Sequence, residues 1–173
     1  VRKELHGPGR RSATRRSGPP DPEIISLAAG DPNFLLPKYI ADTVNQAILD
    51  GHTHYMFGGD PQLKVEAAKY YSKYGYETSP AQVSLTNGGS NSIFQAYAAV
   101  LNPGDEVVAF DPAYSGGTMV PAYFGAKTVF APLIKDDTGM YDFDEEELKK
   151  KIGPKSKALY VENPGNPSGK VYG

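Results

Sequence analysis

The sequence predicts an α/β fold with a mainly parallel sheet. Short apolar runs alternate with helical stretches at roughly 30-residue spacing, the pattern of strands joined by helical crossovers. Four runs are interpreted as strands, and they cover residues 83–85, 106–110, 128–131 and 158–161. The 173 residues, of which 39% are hydrophobic and 22% charged, suffice for one globular domain with a core.

Two helices are predicted before the first strand. Apolar residues at helical spacing predict a helix over residues 37–50, which Gly51 ends. Asp60 and Pro61 are typical of the N-cap and the first turn of a second helix, which extends towards Gly75.

Two more helices are predicted after it. One joins the first two strands, ends at "NPGD", and has an apolar face formed by Ile93, Tyr97, Val100 and Leu101. The other begins at Asp144, which with Glu147 resembles a capping box, and ends in a run of lysines that complements the helix dipole.

Residues 1–22 differ in composition from the rest of the chain. They hold six Lys or Arg against two acids and show no apolar periodicity, so a disordered basic tail is predicted. A nucleic-acid-binding arm or a transit peptide is a weaker interpretation, because glycines and prolines interrupt any amphipathic helix. We see no signal peptide and no apolar run of about 18 residues, so a cytoplasmic protein without a membrane partner is expected. With no cysteine, disulfide and thiolate chemistry are excluded.

Glycines separate the first predicted strand from the helix that follows it. In "TNGGSNSIFQAY", Gly88, Gly89 and Ser90 bring free backbone N–H groups and the positive end of a helix dipole together. This arrangement suits a phosphate, although a tight turn that needs glycine only for its dihedral angles explains it equally well. Neither the dinucleotide fingerprint nor the Walker pattern is present.

Two further polar or aromatic residues follow predicted strands. Tyr114, in "FDPAYSGG", has a ring able to stack on a planar ligand or to pack in the core. Asn166, in "NPGNPSG", has an amide able to bond a ligand oxygen or to stabilise an Asx turn. Because the carboxyl ends of parallel strands face one crevice, the three sites together favour a ligand there.

Five ordered motifs resemble the amino-terminal half of the class I/II aminotransferases, the fold-type I enzymes that use pyridoxal phosphate. They are "ISLAAGDPNF", "GGDPQL", "LTNGGSNSIF", "LNPGDEVVAFDPAY" and "NPGNPSG", and the resemblance spans about residues 24–172. It implies a three-layer αβα fold, truncated before the catalytic lysine and the small carboxy-terminal domain. The expected division is a tail (1–22), an amino-terminal arm and helix (23–58) and an incomplete cofactor-binding large domain (59–173).

The resemblance also implies roles for individual residues. Gly88, Gly89 and Ser90 match the phosphate-binding turn, Tyr114 the aromatic that stacks on the pyridine ring, and Asn166 the residue bonding the 3′-oxygen. Tyr55 resembles the tyrosine that reaches the phosphate of the neighbouring subunit in the family homodimer. Gly30 matches the position near the substrate carboxylate. No metal site is expected.

The implied activity is transfer of an amino group between an amino acid and a 2-oxo acid. No lysine in this chain has the context of the Schiff-base lysine, so no catalytic residue is assigned, and a fragment of a longer reading frame is expected. That frame should continue with an Asp, a lysine in a Ser-rich turn and a late arginine. A lyase or decarboxylase on the same fold, or a non-catalytic cofactor-binding or dimerisation module, is the alternative.

Overall fold

The computed structural model describes Glu23, Ile25, Gly30 and residues 34–172. The tail predicted to be disordered (residues 1–22) and most of "ISLAAGDPNF" therefore lie outside the described residues. The chain forms two compact units, one up to Ser84 and one from Leu85 onwards, which are considered separately below. The predicted domain division after residues 22 and 58 stays a prediction.

The unit before Leu85 is helical. It contains α1 (Lys38–Leu49), α2 (Pro61–Ser72) and a short 3₁₀ helix over Pro80–Gln82. The side chain of Asp60 accepts hydrogen bonds from the backbone N–H groups of Gln62 at 2.8 Å and Leu63 at 2.9 Å. This satisfies two of the donors that the first turn of a helix leaves without a carbonyl, and it confirms the predicted cap of α2.

The unit from Leu85 is a sheet with helices. In chain order it comprises α3 (Gly89–Val100), β1 (Glu106–Asp111), α4 (Ser115–Thr118), a 3₁₀ helix (Val120–Phe124), β2 (Lys127–Lys135), β3 (Tyr141–Phe143), α5 (Glu145–Lys151) and β4 (Ser156–Tyr160). The strand order is β3-β2-β1-β4. Strand β1 pairs in parallel with both β2 and β4, whereas β3 is antiparallel to β2. The predicted mainly parallel α/β sheet is confirmed.

Three details differ from the sequence predictions. Residues 83–85 form no strand, because a segment this short is not stable without a ladder and it pairs with no strand of the described chain. Strand β3 was not predicted, since an antiparallel edge of three residues leaves little periodicity to detect. Val100, expected on the buried face of α3, has 43% of its surface exposed.

The core surrounds β1. Val107, Val108 and Ala109 are at most 1% exposed, as expected for a central strand covered on both faces. Tyr97 from α3 and Leu101 directly after it pack in one cluster with Val107, and Tyr160 of β4 packs against that cluster. The core therefore fixes α3, β1 and β4 relative to one another.

Candidate functional site

Two of the sequence-predicted site residues lie in loops that leave the same edge of the sheet. Strands β1 and β4 are parallel neighbours, with Ala109 paired opposite Tyr160. The loop after β1 contains Tyr114, and the loop after β4 contains Asn166. The sequence predicted that three sites follow parallel strands and face one crevice. This topology is compatible with that prediction for Tyr114 and Asn166. The prediction is wrong in its premise for the glycine turn, because residues 83–85 before that turn form no strand.

A carboxylate that the sequence analysis did not select joins these two loops. Oε2 of Glu162 accepts a hydrogen bond from the backbone N–H of Tyr114 at 3.1 Å and one from that of Asn166 at 3.3 Å. Oε1 of Glu162 accepts the phenolic hydrogen of Tyr160 at 2.6 Å. One partly buried side chain thus ties the end of β4 to both loops.

Tyr160 is held as a neutral donor. Burial raises the pKa of its phenol, and the hydrogen bond to the Glu162 carboxylate raises this pKa further. The Tyr160 ring lies directly against the backbone of Gly117, where any added Cβ would overlap it. Gly117 is therefore needed for the ring that supports Glu162.

Tyr114 sits at the N-cap of α4 with extended backbone dihedrals, φ −64° and ψ 125°. Its ring lies over Gly116, and a Cβ at Gly116 would overlap the ring. The side chain of Tyr114 remains accessible, with the residue 41% exposed. A partly accessible aromatic ring that rests on the backbone of Gly116 is suited to stacking on a planar ligand.

The glycine turn precedes α3. Gly88 is its N-cap with φ 82° and ψ 164°, a conformation that essentially only glycine adopts. The carbonyl of Gly88 accepts the N–H groups of Asn91 and Ser92, whereas Gly89 and Ser90 occupy the first turn, where N–H groups have no carbonyl within the helix. Apart from adjacent residues and the backbone of α3 itself, no atom of the described chain lies within 4 Å of a Cβ added at Gly88 or Gly89. The turn therefore leaves space for an anion at a helix N-terminus.

The turn around Asn166 is closed by its own backbone and by Asn163. Gly165 donates its N–H to the carbonyl of Lys170 at 2.7 Å. The Asn163 amide donates to the Tyr172 carbonyl at 3.0 Å and accepts from the Tyr172 N–H at 3.1 Å. Asn166 itself is exposed, and no hydrogen bond links its side-chain amide to the residues that the structure describes. Its amide is available to a ligand.

An ion pair connects this turn to β3, the strand at one side of the sheet. Nζ of Lys170 lies 2.9 Å from Oδ1 of Asp142 on β3. The hydrogen bond from Lys170 holds the pKa of the Asp142 carboxyl below its usual value. The Lys170 ammonium group thus pairs with Asp142 and joins the turn around Asn166 to β3.

The remaining predicted residues belong to the other unit. Tyr55 is 93% exposed, and its ring stacks on that of Phe57 with the centroids 6.2 Å apart. Gly30 is exposed, with no atom within 4 Å of an added Cβ. The structure thus brings Tyr114 and Asn166 together in one unit that also contains the glycine turn.

In the described part of the chain, no group of three or more His, Cys, Asp or Glu side chains is placed to hold a metal ion. No helix among the same residues is long and apolar enough to cross a membrane.

Comparison with known proteins gives consistent matches. Residues 22–173 match the family model described as aminotransferase class I and II. The chain is 36% identical over 152 residues to the aspartate aminotransferase of Streptomyces avermitilis, covering 86% of this chain and 37% of that protein. It is 31% identical over 152 residues to a probable aspartate/prephenate aminotransferase of Thermus aquaticus, covering 87% of this chain and 39% of that protein.

A solved aminotransferase structure also matches the fold of this chain. The N-succinyldiaminopimelate aminotransferase of Mycobacterium tuberculosis superposes with a TM-score of 0.78 at 28% identity, covering 84% of this chain and 38% of that chain. In all three comparisons this chain spans less than two fifths of the length of the protein it matches.

Proposed function

This chain belongs to the class I and II aminotransferases, and from that premise we propose that the protein containing it transfers an amino group between an amino acid and a 2-oxo acid with pyridoxal phosphate as its cofactor. The bound cofactor supplies an electron sink that stabilises negative charge at the α-carbon of the amino acid. The contribution of residues 85–172 is to bind and orient the cofactor.

The phosphate is assigned to the glycine turn. The N–H groups of Gly89 and Ser90 and the positive end of the α3 dipole favour an anion, and the absence of a side chain at Gly88 and Gly89 allows its close approach. The Ser90 hydroxyl adds a donor of the right type. These features suit a phosphate monoester.

The planar part of the cofactor is assigned to Tyr114 and Asn166. The Tyr114 side chain is partly accessible, which suits stacking on a pyridine ring. The amide of Asn166 is free to donate to the 3′-oxygen and so to favour its deprotonated form. Both residues orient the ring and neither moves a proton.

Two further assignments concern the substrate and the neighbouring subunit. We assign Gly30 to the region of the substrate carboxylate and Tyr55 to the cofactor phosphate of a second subunit in a homodimer. The high exposure of Tyr55 is compatible with a role towards another chain. Analytical ultracentrifugation of the protein expressed from its complete reading frame tests the dimer.

The observation that carries the cofactor assignment is the junction of the Tyr114 and Asn166 loops on Glu162. The activity is tested with the same protein, incubated with pyridoxal phosphate, a ¹⁵N-labelled amino acid and 2-oxoglutarate. Mass spectrometry should find the label in glutamate and the donor converted into its 2-oxo acid. Release of labelled ammonia or of carbon dioxide instead would indicate a lyase or a decarboxylase. Cofactor binding without turnover of any amino acid would leave a binding module.

A further inference from the structure

We propose that Glu162 is a positioning residue of the cofactor site, which sets the Tyr114 ring and the Asn166 amide relative to each other. The inference rests on the proposed function, because it concerns how this chain orients the cofactor that the function requires. Glu162 acts through the two loops, without a contact to the cofactor of its own.

The first argument is connectivity. Tyr114 and Asn166 belong to loops that follow different strands, and a single oxygen, Oε2 of Glu162, accepts an N–H from each. Each bond holds the backbone of the residue that carries the ligand-facing group. A shift of this oxygen therefore moves the ring of Tyr114 and the amide of Asn166 together.

The second argument is that the three donors favour a carboxylate at this position. Three donors converge on Glu162: the N–H groups of Tyr114 and Asn166 on Oε2 and the hydroxyl of Tyr160 on Oε1. A carboxylate accepts at both oxygens, and its charge strengthens all three bonds. A glutamine has one accepting oxygen, so it can satisfy the two N–H groups. Its NH₂ group would then donate to the Tyr160 oxygen, and the phenolic hydrogen of Tyr160 would lose its acceptor.

The third argument is that Glu162 is itself held in place. The Tyr160 ring packs against the core cluster and against the backbone of Gly117, so its hydroxyl has a fixed position. The hydroxyl then fixes Oε1, and Glu162 cannot rotate without losing this bond. The order of the site is transmitted from the core through Tyr160 to Glu162 and on to the two loops.

The test uses the protein expressed from its complete reading frame, stripped of cofactor and titrated with pyridoxal phosphate. Glu162→Ala removes every acceptor, Glu162→Gln retains one oxygen, and Glu146→Gln, which removes an exposed carboxylate paired with Lys149 on α5, is the control. The readouts are the dissociation constant and the visible circular dichroism of the bound cofactor, which reports how its ring is oriented.

We expect Glu162→Ala to raise the dissociation constant about tenfold and Glu162→Gln about threefold, since the latter keeps the two backbone bonds. Both variants should change the dichroism, and Glu146→Gln should change neither readout. Wild-type affinity and dichroism in Glu162→Gln and Glu162→Ala would overturn the inference. If only one of the two Glu162 variants is soluble, wild-type affinity and dichroism in that variant would also overturn the inference. A wild-type protein that binds no pyridoxal phosphate would instead overturn the proposed function, and the inference with it.

Discussion

The phenol of Tyr160 donates its hydrogen to Oε1 of Glu162 across 2.6 Å, and this bond links the last residue of β4 to the acid that follows it by two positions. Glu162 itself lies beyond the end of β4, in the loop that carries Asn166. The Tyr160 ring lies against Gly117 of α4, which fixes the direction of its hydroxyl. The strand end thus presents a donor and a carboxylate together.

Tyr160→Phe should weaken the fold modestly. The substitution keeps the ring against Gly117 but removes the donor to Oε1 of Glu162, so one charge-assisted hydrogen bond is lost. Because Tyr160 and Glu162 are only partly buried, water replaces part of this bond, and we expect the free energy of unfolding to fall by about 1 kcal/mol. Urea denaturation followed by circular dichroism measures this. Tyr39→Phe, on a side chain that is 72% exposed, is the control and should leave the value unchanged. Equal stability of Tyr160→Phe and wild type would show that the bond contributes nothing.

The core tyrosine of α3 gives the opposite expectation. Tyr97 is only 6% exposed, and its buried hydroxyl has no hydrogen-bond partner within the described part of the chain. Removing an unsatisfied buried hydroxyl eliminates its desolvation cost, so Tyr97→Phe should raise the free energy of unfolding by about 1 kcal/mol. Urea denaturation at pH 7 measures this, and a clear loss of stability would mean that the hydroxyl has a partner.

The stabilities of the wild type and of Tyr97→Phe should also depend differently on alkaline pH. Burial raises the pKa of Tyr97 from its usual value of 10.0 to about 12. Since the folded pKa is the higher one, ionisation of Tyr97 costs the wild type no stability below pH 10, and it lowers the free energy of unfolding as the pH rises from 10 towards 12. From pH 8 upwards, the free energy of unfolding should fall less steeply with pH in Tyr97→Phe than in the wild type. Parallel curves would contradict the assignment.

Gly116→Ala should disturb the ligand-facing side of the site. An added Cβ would overlap the Tyr114 ring, which must then turn away. Alanine is a better helix former than glycine, so the substitution by itself should favour α4. A loss of cofactor affinity in Gly116→Ala would therefore come from the displaced Tyr114 ring. We expect the dissociation constant for pyridoxal phosphate to rise about fivefold, equivalent to about 1 kcal/mol.

The matched control is Gly153→Ala, where no atom lies within 4 Å of the added Cβ. It should bind the cofactor as the wild type does. If Gly116→Ala and Gly153→Ala bind equally well, the contact with Gly116 does not set the position of the Tyr114 ring.

The sequence predicted the fold well wherever local signals were strong. Strand β1 was found because a continuous apolar run is what a strand buried on both faces requires, and α2 because Asp60 and Pro61 are specific N-terminal signals. The segment 83–85 was predicted wrongly because apolar residues alone do not supply a pairing partner. Pairing is a tertiary property that no short stretch of sequence contains.

The candidate site was predicted in part, for a related reason. Glycines and an asparagine flanked by prolines mark turns whose position in the chain is visible in the sequence, so Gly88, Tyr114 and Asn166 were selected from it. Glu162 was not selected, because its role depends on donors that converge from another loop and from a neighbouring side chain. An acid placed directly after an apolar run and before "NPGNPSG" was the available signal.

The last prediction concerns the amide of Asn166. If it donates to the 3′-oxygen of the bound cofactor, Asn166→Ala removes a bond that favours the deprotonated form, so the pKa reported by the cofactor's visible absorbance should rise. A charge-assisted hydrogen bond of about 1.5–3 kcal/mol corresponds to a shift of about one to two pKa units. The measurement is a pH titration of absorbance in the protein expressed from its complete reading frame. Asn163→Ala is an informative comparison, because the Asn163 side chain bonds the backbone of Tyr172 instead of facing a ligand. That variant should loosen the turn and lower thermal stability without the same change in pKa. An unchanged titration in Asn166→Ala would leave Asn166 as a residue of the turn alone, and equal shifts in both variants would assign the effect to the shape of the turn instead of to the amide.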